Sequence, residues 1–389
     1  MRTTSHSAVA VAGCGAICAV GCGVEALKSA LRGNASGLGR SKRFDHARYQ
    51  SSIVGEVAAN GAGAEQDDPA CSLATEALRQ ARAEARYILQ AIPAERIGLV
   101  LSTTKANIEA MERLADRRPC SDAARRHLQA DLLAADLAAA AGASGPIQCV
   151  SLACISGLVA LQQGARFIQR GAADAVLVVG VDHLSAFVVA GFSALKALDP
   201  IGCRPFDRDR CGLSPGEAGA SIVLVRSTMI DSPAVSIRGW GGSNDANHMT
   251  GPARDGAGLA LAIRTALNSA NLQPEDIDWV NAHGTATPYN DAMEFQALRN
   301  VFGESCPPLN GFKGMVGHTL GAAGVLETIL CVLAMKEHLL PGTPGLSISA
   351  EGAPASLMHA PRSVARLDNI LKLNVGFGGV NGALILGHG

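Results

Sequence analysis

The segment Gln148-Cys149-Val150-Ser151-Leu152-Ala153-Cys154-Ile155-Ser156-Gly157 carries a thiol out of an apolar strand and into a long amphipathic helix. Unpaired N–H groups of the first helical turn and the positive end of the macrodipole favour thiolate over thiol, so Cys154 is expected to be an activated nucleophile. Two histidine segments lie far downstream, Asn281-Ala282-His283-Gly284-Thr285-Ala286-Thr287 and Lys313-Gly314-Met315-Val316-Gly317-His318. Each follows an extended or glycine-rich approach, from which a side chain can project into a cavity. One cysteine and two loop histidines point to covalent catalysis.

The elements that must position these residues read as α/β. Short β-branched runs at 8–12, 97–102, 147–151, 175–180 and 220–225 alternate with helical patterns at 24–31, 71–86, 130–141 and 157–169. The same grammar returns with strands near 235–238, 278–281 and 371–375 and helices near 258–270, 291–301 and 322–338. Such alternation argues for an α/β protein, and its repetition for two duplicated halves. The boundary is placed at the polar stretch Ser227 to Pro233, giving halves 1–230, with the nucleophile, and 231–389, with both histidines.

Composition agrees. The 389 residues are 48% apolar and 17% charged, with 44 glycines and 4% aromatics, which suits closely packed small-residue elements and argues against disorder. A net charge of −1 offers no overall footprint for nucleic acid. Eleven cysteines, an odd count with several in apolar elements, read as reduced thiols in the cytoplasm. Cys14, Cys18 and Cys22 lack the usual spacing of a zinc or cluster site, so no metal is expected there. Val11-Ala12-Gly13-Cys14 imitates a lipoprotein processing site, but the apolar lead-in is too short, and a first strand fits better. No apolar stretch reaches the roughly 18 residues of a membrane span.

A hydrolase is the competing enzyme class. Gly212-Leu213-Ser214-Pro215-Gly216 fits the G-x-S-x-G elbow. There, the residue after serine donates its backbone N–H to the oxyanion, and Pro215 has none.

Six motifs, taken in order, resemble the β-ketoacyl-acyl-carrier-protein synthases, condensing enzymes of the thiolase fold. They begin at Ala153, Cys203, Asn244, Ala282, Lys313 and Gly376, and read ACISG, CRPFDRDR, NDANHMT, AHGTATP, KGMVGH and GFGGVNG. The resemblance spans nearly the whole chain. It implies a five-layered α/β/α/β/α architecture and an intimate dimer, either of like subunits or with a related partner. It also implies two carrier-protein substrates: an acyl form that loads Cys154, then a malonyl form that loses CO2 and condenses. No cofactor is implied.

The same resemblance assigns roles. Backbone N–H groups of Cys154 and Phe377 form an oxyanion hole, with Gly376, Gly378 and Gly379 allowing close approach and the Phe377 ring acting as a gate. Neutral His283 and His318 donate to the malonyl-derived enolate oxygen. Lys313 pairs with Glu327, and Thr285 and Thr287 support the site. His248 falls in an entrance loop outside the chemistry. Arg210 is the positional match for carrier-protein docking, while Lys42, Arg43, Arg125 and Arg126 are docking candidates only because they are basic. Departures at Cys211, Pro215, Ala218 and Val380 remove no catalytic atom. With Ile155 they resemble synthases of specialised clusters, so the expected activity is fatty acid or polyketide chain elongation, with a ketosynthase of a specialised aryl polyene or polyketide cluster, working with a partner subunit, as the alternative. The non-catalytic reading, a chain-length partner subunit, is opposed by the presence of Cys154, His283 and His318.

Overall fold

The computed structural model describes residues 8–41, 43–44, 48–58, 67–230 and 235–388. The expected boundary between 230 and 231 and the docking candidate Lys42 lie at or outside the limits of the described residues.

Ten principal strands carry the fold. In the first half these are β1 (Val9–Cys18), β2 (Ile97–Ser102), β3 (Ile147–Val150), β4 (Ala175–Asp182) and β5 (Ala218–Arg226). In the second they are β6 (Val235–Asn244), β7 (Trp279–Asn281), β8 (Leu309–Asn310), β9 (Asn369–Gly376) and β10 (Val380–His388). Their spatial order is β3-β2-β4-β5-β1 in one half and β8-β7-β9-β10-β6 in the other. Each half therefore runs third, second, fourth, fifth, first, with its fifth strand antiparallel to both neighbours. That identity is the duplication the alternating pattern implied. The halves join where Val9 and Ala10 of β1 pair with Ile237 and Ser236 of β6.

Besides the ten-residue helix Val24–Gly33, the helices that build the layers and the site are α1 (Pro69–Glu84), α2 (Ala130–Ala140), α3 (Ser156–Gln169), α4 (Ala186–Ala194), α5 (Ala257–Ala270), α6 (Pro288–Phe302) and α7 (Ala323–Lys336). Most strand residues are apolar on both faces, because each sheet is covered twice. Leu99 and Leu101 face the core under α1 and α2, whereas Val100 between them faces the core around α3 and α7. In the second half Leu371 and Leu373 face α5 and α6, while Ile370, Leu384 and Leu386 face the central helices. The result is five layers, α1/α2, sheet, α3/α7, sheet and α5/α6, as expected.

Helix α7 is buried from Ala323 to Met335, as a helix apolar on all sides should be. It meets α3 through two glycines. A Cβ on Gly324 would stand 2.2 Å from the Leu158 nitrogen, and one on Gly157 would stand 2.8 Å from the Val325 nitrogen. Only glycine permits that approach, and it sets the turn before α3 against the turn before α7. Cys154 lies in the first turn and His318 in the second.

Most sequence-based elements match within a few residues. Strand β1 runs on to Cys18, and β8, β10, α4 and a short helix at Ile108–Ala115 were not anticipated. No helix among the described residues is long and apolar enough to cross a membrane.

Candidate active site

Cys154 sits between β3 and α3 on a strained elbow. Ala153 takes a left-handed conformation, φ 46°, unusual for a residue with a Cβ. The Ser156 hydroxyl holds the turn by donating to the Ala153 carbonyl at 2.6 Å and accepting from the Leu152 N–H at 2.7 Å. On the other side, β9 and β10 form a hairpin whose turn places Gly378 and Gly379 at φ 86° and 72°. The Phe377 N–H of that turn favours the thiolate form of Cys154. A Cβ on Gly376 would stand 3.5 Å from the Cys154 nitrogen, so the two backbone segments are adjacent.

His318 enters from the turn before α7. Its N–H donates to the Ser214 carbonyl at 2.7 Å and its carbonyl accepts from Gly216 at 2.9 Å. The G-x-S-x-G segment is therefore a brace for His318. Ser214 is fully buried, and its hydroxyl accepts from the Cys203 N–H at 3.0 Å. His318 Nε2 lies 2.9 Å from Cys154 Sγ, and the His283 and His318 rings meet edge to face with centroids 5.4 Å apart.

His283 follows β7. Buried Glu294 on α6 fixes its loop by accepting the N–H groups of His283 and Gly284 at 2.6 and 2.8 Å. Its ring has a definite tautomer. Nδ1 faces two donors, Lys313 Nζ and Asn374 Nδ2, each at 3.1 Å, and must accept from them. The ring proton therefore sits on Nε2. Nδ1 of His318 has no hydrogen-bond partner among the described residues, so nothing there fixes that ring's tautomer.

Behind His283 lies a buried charge cluster. Lys313 Nζ donates to Glu327 Oε1 at 2.8 Å, as expected, and to the His283 carbonyl at 2.6 Å. Lys372 Nζ stands 2.6 Å from Glu327 Oε2. Burial pushes the Glu327 carboxyl up, but the two ammonium groups outweigh it and hold the acid below its usual range. Burial, then Lys313, depresses both histidines, His318 to about 3 and His283 well below its ordinary value, so both rings are neutral.

The activated-thiolate expectation is corrected here. Burial pushes the Cys154 thiol up to about 11, against the opposing influence of Lys313 and the Phe377 N–H. A helix dipole contributes about 0.3–1 kcal/mol, less than the ~1.4 kcal/mol of a single pKa unit, so desolvation wins. Cys154 rests as a thiol beside a neutral imidazole. Its alkylation by iodoacetamide should accelerate roughly tenfold per pH unit through pH 8–10. A rate that levels off below pH 8 would contradict this account.

The three reactive atoms lie within 4.8 Å of one another, a spacing that could hold a metal ion. The surroundings of His283 oppose that use. A metal on Nε2 would drive the proton to Nδ1, against the ammonium of Lys313 and the amide of Asn374.

Thr285 and Thr287 face each other across 2.8 Å between their hydroxyls at the start of α6. The Phe377 ring is 40% exposed and stands 6.2 Å from that of Phe192 on α4, which in turn lies 6.5 Å from the His318 ring. Asp245 of the entrance loop accepts from Asn381, and its N–H reaches the Gly379 carbonyl, tying that loop to the Phe377 turn. His248 is exposed and bonds only within its own loop, through the Thr250 and Gly251 N–H groups.

The docking expectation for Arg210 is corrected as well. Arg210 is 10% exposed and turned inward, 3.2 Å from buried Asp291. Arg43, Arg125 and Arg126 keep side chains 42%, 51% and 47% exposed, as expected of surface bases, while pairing with Glu217 and Glu56, with Asp122 and with Asp136. Sequence reading missed Lys372, Asn374, Phe192 and Glu294. Lys372 and Asn374 had a signal, two polar residues at i and i+2 in the otherwise apolar run Leu371 to Val375.

A buried cysteine and two neutral histidines on a duplicated five-layer core define a condensing enzyme of thiolase-like fold. A family model described as the beta-ketoacyl synthase N-terminal domain matches residues 6–229, and the beta-ketoacyl synthase C-terminal domain matches residues 234–347. The 3-oxoacyl-[acyl-carrier-protein] synthase 2 of Vibrio cholerae is 31% identical, with 98% of this chain and 99% of that protein aligned. The tetracenomycin polyketide synthase ketoacyl synthase alpha subunit of Streptomyces glaucescens is 31% identical over 99% of this chain and 98% of its own length. A solved structure described as the ishigamide ketosynthase/chain length factor superposes with a TM-score of 0.90 at 28% identity, covering 98% of this chain and 99% of that one. The chain belongs to the beta-ketoacyl synthase family. It is an acyltransferase, a β-ketoacyl-acyl-carrier-protein synthase of fatty acid or polyketide elongation.

Proposed function

We propose that Cys154 carries the growing acyl chain and that His283 and His318 serve the second substrate. The observation that carries this reading is the 2.9 Å contact of His318 with Sγ beside a His283 ring whose proton is held on Nε2 by two donors behind it.

In the first half-reaction the Cys154 proton passes to His318 as sulfur attacks the acyl carrier-protein thioester. The oxyanion is received by the N–H groups of Cys154 and Phe377, and the pantetheine thiolate leaves with a proton. In the second, the malonyl C–C bond breaks to release CO2, and its electron pair forms an enolate. His283 Nε2–H stabilises the enolate oxygen, and His318 joins it in the tautomer that carries its ring proton on Nε2, which its unpartnered Nδ1 leaves accessible. The enolate carbon then attacks the Cys154 thioester, and the sulfur leaves as thiolate and regains a proton. Lys313 and Glu327 hold the His283 tautomer, Thr285 and Thr287 shape the malonyl side, and the Gly376–Gly378 turn with Phe377 gates the acyl side.

His283→Ala should lower malonyl decarboxylation on the order of 10²–10³-fold while leaving Cys154 acylation within a few-fold, because His283 makes no bond to sulfur. His318→Ala should impair both half-reactions. Equal loss of acylation in the two variants would overturn the division of labour. Ser214→Ala should retain condensation and reveal no esterase activity to lose.

The pathway we propose is a specialised polyketide or polyene one, in the cytoplasm, with acyl and malonyl carrier proteins as substrates. Supporting it are the departures at Cys211, Pro215, Ala218 and Val380 and the likeness to a ketosynthase/chain length factor. A like or related subunit would cover the open edge of β3, where Ile147 and Leu152 are exposed. A panel of acyl carrier proteins differing in chain length and unsaturation tests the assignment by the adduct mass on Cys154. Conjugated or aryl-bearing chains support it. Preference for saturated medium or long chains would make the enzyme a fatty acid synthase, and no adduct would make the chain a partner subunit.

A further inference from the structure

The end of β4 and the loop after β2 hold a buried ion pair that no step above employs. Asp182 is fully buried. Its Oδ1 accepts from the Thr103 hydroxyl at 2.9 Å, and its Oδ2 accepts from the Thr104 hydroxyl at 2.8 Å, the Thr104 N–H at 3.0 Å and the Gly321 N–H at 2.7 Å. Lys105 Nζ lies 3.0 Å from Oδ1 with its side chain 7% exposed. Gly321 stands three residues after His318, in the turn that opens α7. A Cβ on it would meet Asp182 Oδ2 and the Thr103 Cα, each at 2.8 Å. One carboxylate thus joins two segments of the first half to the turn of the second half that bears His318.

We propose that Lys105 and Asp182 are positioning residues for condensation: the carboxylate anchors the His318 turn, and the ammonium keeps the anchor's charge neutral beside Cys154. This deepens the functional reading above and rests on it. A buried carboxylate is a strong acceptor for the Gly321 N–H, but alone it would oppose a developing thiolate; a buried ammonium alone would oppose proton uptake by His318. Only the pair supplies the anchor without either penalty. The other charged or titratable groups acting on Cys154 and His318 are His283, Lys313, Glu327 and Lys372, all from the second half. Lys105 and Asp182 are the counterpart from the first half.

The test is the pH profile of Cys154 alkylation by iodoacetamide, which needs no carrier protein and is independent of whether condensation occurs. Asp182→Asn leaves the ammonium unpaired and should raise the rate at pH 8 at least about threefold; Lys105→Met leaves the carboxylate unpaired and should lower it by a similar factor. The double variant should return to within about twofold of wild type, yet its condensation rate should stay at least about tenfold down, because an amide NH2 in place of one carboxylate oxygen faces donors it cannot accept from and loosens the Gly321 anchor. Lys105→Arg, which keeps the charge, should preserve the wild-type profile. A role in packing alone would not move the two single variants in opposite directions, so parallel shifts, or none, would overturn the proposal. Should Asp182→Asn fail to fold, an unchanged profile in Lys105→Met is sufficient to overturn it.

Discussion

Cys154→Ala is expected to abolish acyl loading and to lower condensation on the order of 10⁴-fold or more, while malonyl carrier protein is still decarboxylated. The two losses separate because the elements that perform them are separate. The thiol stands on the strained turn before α3, in the first half, whereas both imidazoles stand on loops of the second half and are held by Glu294, Ser214, Lys313 and Asn374. Removing sulfur leaves that support untouched. Cys154→Ser should be little better than alanine in condensation, since an alkoxide is a poor leaving group when the enolate attacks. Radiolabelled CO2 release and product formation, measured side by side, check the separation. Loss of both activities together in the alanine variant would contradict it.

Glu327→Gln is the second large effect, and here it reaches stability as well as rate. The carboxylate faces two ammonium groups, Lys313 and Lys372, whose side chains are fully buried. Neutralising it leaves two buried cations without a counter-charge. Breaking a buried pair costs about 3–5 kcal/mol, so the urea midpoint should fall accordingly. Lys313 would also lose the contact that aims it at His283 Nδ1, and decarboxylation should fall by at least about tenfold in whatever protein remains folded. Lys372→Met should be milder on both counts, because it leaves one lysine and one carboxylate paired. Equal unfolding midpoints for Glu327→Gln and wild type would rule out the cluster as described.

The nucleophile, both histidines and the Lys313–Glu327 pair were legible because each sits in a short motif whose residue types are dictated by chemistry. The strand and helix pattern was legible for a different reason. Apolar periodicity marks elements that are covered, and here nearly every element is. Helix α4 was hidden for the opposite reason, because it is apolar all round although only Val188 and Val189 are buried. Its sequence AFVVAGFSA has no polar face to set its phase, so Phe192 was missed together with the helix that carries it.

The thiol's protonation state could not be read locally. The sequence shows a helix start, but the burial that outweighs it comes from α7, from the β9–β10 turn and from the His318 loop, all more than 150 residues away. Arg210 failed for a related reason. A basic residue in a polar motif looks solvent-facing until Asp291, on a helix of the other half, is found buried beneath it. Long-range pairs between the halves decided the details that the motifs left open.

The most direct test of the division of labour is a two-stage mass measurement on the wild-type protein. Incubation with acyl carrier protein should add one acyl mass, mapped to the peptide containing Cys154. Addition of malonyl carrier protein should then remove that mass while releasing one CO2 and one β-ketoacyl product per adduct lost. An acyl group found on another residue, or an adduct on Cys154 that persists while CO2 is released, would contradict the account.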